Sequence, residues 1–148
     1  MGDKKIKNIF VQGAIEPSFI AQAIDRHKTQ RIIGAHNIFL GQVRSDIIKE
    51  KEVQAIDYTS YEEMALEKMV QIREDLFEKY NLTCLHVYHS LGRVQAGKIS
   101  LFVFASSAHR KEAIRASEEL VERIKTELPI WGKEVFADQS FEWKKPIQ

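Results

Sequence analysis

Cysteine occurs once, at position 84, in a chain of 148 residues. That excludes an internal disulfide and any metal centre built from a cysteine cluster, and it suits a reducing compartment. Cys84 lies within the apolar run 82–87 and reads as a small buried residue rather than a reactive thiol. Proline and glycine are sparse, at three and seven residues. No linker, repeat or low-complexity tract breaks the chain, so residues 1–148 read as one domain with a polar tail from about residue 138. A domain of this size can bury about 70% of its unfolded surface. An excess of charge is also missing: 22 basic residues face 21 acidic ones, a net charge of +1. No global field draws nucleic acid or an acidic membrane, and any anion site has to be local. No apolar run is long enough to cross a bilayer, and the charged start Met1–Lys7 lacks the apolar core of a signal peptide. The expectation is a cytoplasmic protein with no nucleic-acid or membrane partner.

What is present is a regular alternation of strand and helix patterns. Ile6–Val11 predicts a first strand. Pro17 stands where a first helical residue often does, and Phe19, Ile20, Ala23 and Ile24 follow at helical spacing to about His27. Ile32–Val43 predicts a strand whose two glycines admit a bend or a close neighbour, and the polar stretch 45–52 predicts a mobile loop. Val53–Tyr61 reads as a strand. Ala65, Met69, Ile72, Leu76 and Tyr80 mark a long amphipathic helix over about 62–79. Strands at Thr83–His89 and Ile99–Ser106 are joined through Gly92 and Gly97. A last helix runs from about Arg110 to Glu127 and is stopped by Pro129, and Trp131–Phe136 closes the order β-α-β-β-α-β-β-α-β. The fold class is α+β with largely antiparallel pairing.

A few basic residues stand at element ends, where a scaffold holds functional groups. Arg44 follows the apolar strand ending Phe39-Leu40-Gly41-Gln42-Val43. His109 and Arg110 occupy the handover from strand to last helix, where free N–H groups and the helix dipole suit a phosphate or carboxylate. Lys125 lies about one turn from the C-terminal end of that helix. Each alone also has an ordinary explanation, since a lysine in a last turn meets the dipole favourably and a strand-end arginine is usually solvated. The histidines at 27, 36, 86, 89 and 109 show no HxH or HxxxH pairing, so no metal site is expected. No dinucleotide, phosphate-loop or nucleophile-elbow motif occurs, and Ser106-Ser107 near His109 is too little for a serine hydrolase.

Four segments add a resemblance. Phe39–Arg44, Tyr61-Glu62-Glu63-Met64-Ala65, Ser107-Ala108-His109-Arg110-Lys111-Glu112-Ala113 and Lys125-Thr126-Glu127-Leu128-Pro129-Ile130-Trp131-Gly132-Lys133-Glu134 together resemble the large-subunit family of molybdopterin synthases, in order over about residues 30–136. The resemblance implies an α/β hammerhead-like fold, mostly antiparallel with three helices, and a homodimer. Each large subunit would take up a small ubiquitin-like sulfur-carrier subunit, giving a heterotetramer. The carrier's C-terminal thiocarboxylate would enter a pocket of the large subunit. The implied reaction is sulfur transfer that converts cyclic pyranopterin monophosphate to molybdopterin, with no metal or organic cofactor in the large subunit. Catalysis is implied for Lys125 and Lys133, and substrate binding for Gln42, Val43, Arg44, His109, Arg110, Gly132 and Glu134. Both reactants are anions, so a cluster of cations around them is the arrangement that cancels their repulsion.

The sequence also departs from the family pattern. Where Lys-Lys-Glu often follows Pro-Ile-Trp, this chain has Gly132-Lys133-Glu134, and neighbours on a strand point to opposite faces. His89-Ser90 and Tyr58-Thr59 stand where His-Arg and Tyr-Glu are common. A second reading therefore accompanies the first: a non-catalytic homologue that docks a ubiquitin-like carrier without turnover. A stand-alone phosphoesterase is a third.

Overall fold

A computed structural model describes residues 7–144, in which three helices flank one eight-stranded sheet. The strands are β1 (Phe10–Gln12), β2 (Ala35–Gln42), β3 (Ile47–Ile48), β4 (Lys51–Ser60), β5 (Cys84–Gln95), β6 (Ile99–Ser107), β7 (Ile130–Phe136) and β8 (Phe141–Trp143). The main path across the sheet is β2-β6-β5-β4-β7-β8, with β1 on β5 and β3 on β4. Every pairing is antiparallel except that of β1 with β5. The α+β, mostly antiparallel architecture expected from the sequence is the one found.

The three helices are α1 (Pro17–Arg26), α2 (Glu62–Lys79) and α3 (Arg110–Glu127), and each forms where apolar residues recur at helical spacing. Helix α2 buries Ala65, Met69, Ile72 and Leu76, carries Glu62 and Glu63 in its first turn and Lys79 in its last, the charge order that complements the helix dipole. Helix α3 buries Ala113, Ala116, Ser117, Leu120 and Ile124. These two helices cover one sheet face, over Leu85, Val87, Leu101, Val103 and Ala105. Helix α1 covers the other face, where Ile20 and Ala23 pack on Phe102 and Phe104. Strand β6 is buried from both sides, which explains its nearly continuous apolar run.

Four elements differ from the sequence expectation. The first strand comprises Phe10–Gln12 rather than Ile6–Val11; Ile6 and the rest of the N-terminal charged stretch before Lys7 lie outside the described residues. The stretch read as a loop at 45–52 folds as the β3–β4 hairpin, turned by Lys49 and Glu50 at φ values of 50° and 68°. Both signs are those of a primed turn, made here without the usual glycine or asparagine. Strand β5 does not stop at His89. Its first half pairs with β6, and after Gly92 (φ 78°) its second half pairs with β4. The polar tail adds β8, whose Phe141 and Trp143 pair with β7.

Candidate active site

The antiparallel return of α3 over β6 decides which site residues meet. β6 ends at Ser107, α3 starts at Arg110 and runs back, so Lys125 in its last turn returns to the level where β6 begins. The end of β2 arrives at the same level: Val43 N–H donates to Lys98 O at 2.9 Å, and Gly97 N–H donates to Val43 O at 2.8 Å. This end of the sheet gathers Arg44, Tyr58, His89, Ser100, Lys125, Glu134 and Lys144.

Lys125 is the centre of the group. Burial of its ammonium lowers its pKa from the ordinary lysine value, and the nearby charge of Lys144 lowers it further. The residue as a whole keeps exposed surface, so the ammonium is partly dehydrated yet reachable. His89, 6% exposed, lies within its field. Nδ1–H of His89 donates to the Ser90 carbonyl at 2.8 Å, which leaves Nε2 as the lone-pair nitrogen. Burial, opposed by that hydrogen bond and aided by Lys125, brings the His89 pKa down to about 4. The ring is neutral at pH 7.

Tyr58 stands edge-on to His89 with ring centroids 5.1 Å apart, and its hydroxyl donates to Ser100 Oγ at 3.1 Å. Burial raises its pKa. Glu134 is 7% exposed. Burial raises its pKa, the charges of Asp46 and Glu142 push the same way, and Lys144 and Arg44 oppose them. Arg44 itself is exposed, with its guanidinium 3.2 Å from Asp46.

Strand alternation separates Gly132 and Glu134 from Lys133. Gly132 faces Tyr58 and Ile56: a Cβ there would approach Ile56 Cγ2 to 3.0 Å and Tyr58 Cε1 to 3.4 Å. A side chain at 132 would therefore need Ile56, and to a smaller degree the Tyr58 ring, to give by a few tenths of an ångström. Lys133 points to the other face, with Nζ 4.3 Å from the centre of the Phe141 ring and 5.9 Å from that of Trp143. There it also neighbours Asp57, which Arg93 clamps through two hydrogen bonds of 2.8 and 3.0 Å. Lys133 is thus not brought to Lys125. Sequence reading missed Lys144, which takes a place beside Gly132: its backbone N–H donates to Gly132 O at 2.8 Å. Trp143 shares the Lys133 face, so Lys144 falls on the face of Gly132 and Glu134.

His109 and Arg110 stand at the opposite end of α3. Fifteen helical residues at about 1.5 Å rise place their backbones about 22 Å from that of Lys125. The corner is built firmly. Ser107 Oγ accepts the Ala113 N–H at 3.1 Å and donates to His109 O, tying the end of β6 to the first turn of α3. Gly34 lies so close that a Cβ would meet Ala108 O at 2.1 Å. One chain therefore presents two cationic groups, one at each end of α3. Gln42 is exposed beside the first, while Val43 is 2% exposed and spends its backbone groups on the β5–β6 turn. A cavity between α2 and β5, lined by Leu66, Met69, Phe77 and Leu85 with Lys7, Arg73, Glu74 and His86 also in its wall, lies away from both.

The chain matches the model of the MoaE protein family over residues 14–127. It is 34% identical over 119 residues to the molybdopterin synthase catalytic subunit of Aspergillus fumigatus, covering 80% of this chain and 63% of that one. The chain thus spans about three fifths of that relative's length. Among solved structures, it is similar to molybdopterin synthase from Staphylococcus aureus, with a TM-score of 0.79 and 29% identity over 97% of this chain and 99% of the other. The same fold recurs, with a TM-score of 0.79 at 23% identity over 92% and 88% of the two chains, in a protein–protein complex of subunits 1 and 2 of molybdopterin-converting factor from Helicobacter pylori.

Proposed function

The chain belongs to the MoaE protein family, and on that premise we propose that it is the catalytic subunit of a molybdopterin synthase. The reaction is sulfur transfer from the thiocarboxylated C-terminus of a small ubiquitin-like carrier to cyclic pyranopterin monophosphate, giving the dithiolene of molybdopterin. The observation that carries the reading is a lysine, Lys125, whose lowered pKa arises from dehydration and a second cation, beside a buried histidine that stays neutral. A lysine so placed exchanges protons nearer neutral pH than a solvated one. We assign Lys125 general acid–base work during sulfur addition.

Arg44 and Lys144 hold the anionic reactants at this end of the sheet, and Glu134 and neutral His89 keep the cations oriented. Lys144 supplies the second ammonium. Gly132 supplies room for Tyr58, and Lys133 stays on the outer face. His109 and Arg110 are also assigned to substrate phosphate, and the length of α3 sets a condition on that assignment: the two groups meet only if a second copy of the chain presents its α3 N-terminus to the first copy's Lys125. A homodimer so arranged, and a heterotetramer built from it with two carriers, would meet that condition. No cofactor is needed for these steps, and the reaction belongs in the cytoplasm.

The test is reconstitution of the purified chain with precursor and either the thiocarboxylated carrier or the same carrier ending in a plain carboxylate. Dithiolene product with the first and none with the second is the expected result. Carrier binding with no product from either supports the non-catalytic reading, and phosphate release without carrier supports a phosphoesterase.

A further inference from the structure

On the α1 side of the sheet, away from Lys125, lies a second cluster of chemistry-bearing side chains. Cys84 and His86 are two residues apart on β5 and so leave the same face. His27, the residue that closes α1, comes down onto them. One donor atom from each, a sulfur and two imidazole nitrogens, lies within 4.8 Å of the others. The two Nε2 atoms are 3.1 Å apart. His27 and Cys84 are 8% and 9% exposed.

The hydrogen bonds fix the tautomers. Nδ1–H of His27 donates to Ala23 O at 2.7 Å, so the lone pair of its Nε2 faces the cluster. That is the orienting bond a metal-bound histidine nearly always makes with its other nitrogen. Nδ1 of His86 accepts from the Lys7 ammonium at 3.0 Å, so its Nε2 carries the proton and donates to His27. The Cys84 thiol donates to Gln30 Oε1 at 3.5 Å. His36, held to Ser106 Oγ at 2.7 Å, stands at the solvent edge with its ring 6.0 Å from that of His27.

We propose that His27, Cys84 and His86 form a three-ligand site for a thiophilic closed-shell cation, Cu(I) in preference to Zn(II). One soft thiolate and two borderline imidazoles, with no carboxylate among them, suit copper and zinc rather than hard cations. Donors bonded at roughly 2.0–2.3 Å stand about 3.3–3.8 Å from one another, so the widest pair needs to close by about 1–1.5 Å at most. Charge decides between the two ions. The cations Lys7, Arg26 and Arg73 act on the cluster, and Glu74 is the acid in the same wall as Lys7, Arg73 and His86. A dication held by one thiolate would leave a net positive charge among them, whereas Cu(I), one thiolate and two neutral imidazoles sum to zero. Binding releases one proton, from the thiol. The His86 proton moves from Nε2 to Nδ1, and the Lys7 ammonium turns away.

The experiment titrates the full-length chain anaerobically with Cu(I) against a chromogenic competitor, and separately with Zn(II). Expected are one equivalent of Cu(I), thiolate-to-metal absorption in the ultraviolet, a raised Tm, and protection of Cys84 from alkylation. Cys84→Ser, close to isosteric, and His86→Ala should each weaken Cu(I) binding at least 100-fold, while His36→Ala leaves it within about threefold. Unchanged binding in Cys84→Ser, or alkylation of wild-type Cys84 at the same rate with and without Cu(I), overturns the site. Zn(II) binding as tight as Cu(I) overturns the charge argument. The alkylation readout uses only the native chain, so it holds even where a variant is unstable.

Discussion

At the scale of single residues, two ionisations carry predictions. Lys144 holds the Lys125 pKa down together with burial, so Lys144→Gln should move the Lys125-dependent limb of the pH–rate profile to higher pH. The shift is upward whether Lys125 acts as acid or base, and an unmoved limb would show that Lys144 does not act on it. His89 concerns stability. Its folded pKa of about 4 lies below the ordinary 6.5, so the unfolded chain takes up the proton first. The stability it contributes is fully present above about pH 6.5 and is lost as the pH falls toward 4, an effect of roughly 1–3 kcal/mol. His86, also lowered to about 4, adds in the same direction. Urea midpoints should therefore fall between pH 7 and pH 5, less steeply in His89→Gln; a midpoint indifferent to pH in the wild type contradicts this. The placement of Arg44, His109, Arg110 and Lys125 at element ends was legible in the sequence, but a role for each came only from the family resemblance. Lys144 was not, because only the β7–β8 pairing brings that polar tail against Gly132. The outward direction of Lys133 follows from the two-residue strand period, but its aromatic seat on Phe141 and Trp143 depends on the same unread strand.

At the scale of elements, the corner between β6 and α3 is the most exacting piece of construction. Ser107 is fully buried and its hydroxyl ties the end of β6 to the first turn of α3. Ser107→Ala should cost about 1–2 kcal/mol in urea unfolding, the range of a lost buried hydrogen bond. No change would mean that Ala113 N–H finds another acceptor. Helices were readable throughout because their apolar stripes are long and unambiguous. What escaped were the short pairings. The β3–β4 hairpin turns on Lys49 and Glu50, which have no propensity for positive φ. β5 runs on through Gly92 because that glycine marks a change of pairing partner rather than the end of a strand.

At the scale of the whole molecule, the 18-residue length of α3 is the governing dimension. It keeps Arg110 from Lys125 of the same chain, so the account requires two copies for one complete site. Light scattering should report a dimer. Mixing Lys125→Ala and Arg110→Ala chains, each inactive alone, should restore about a quarter of wild-type activity, since half the dimers are mixed and each of those has one intact site. No recovery on mixing would place His109 and Arg110 outside the site. The most direct measurement is single-turnover formation of dithiolene by Lys125→Ala, with carrier affinity determined on the same preparation. The account predicts a rate at least 100-fold below wild type with carrier Kd changed by less than about threefold, roughly a 2.7 kcal/mol loss confined to the transition state. Turnover at the wild-type rate by Lys125→Ala would contradict it.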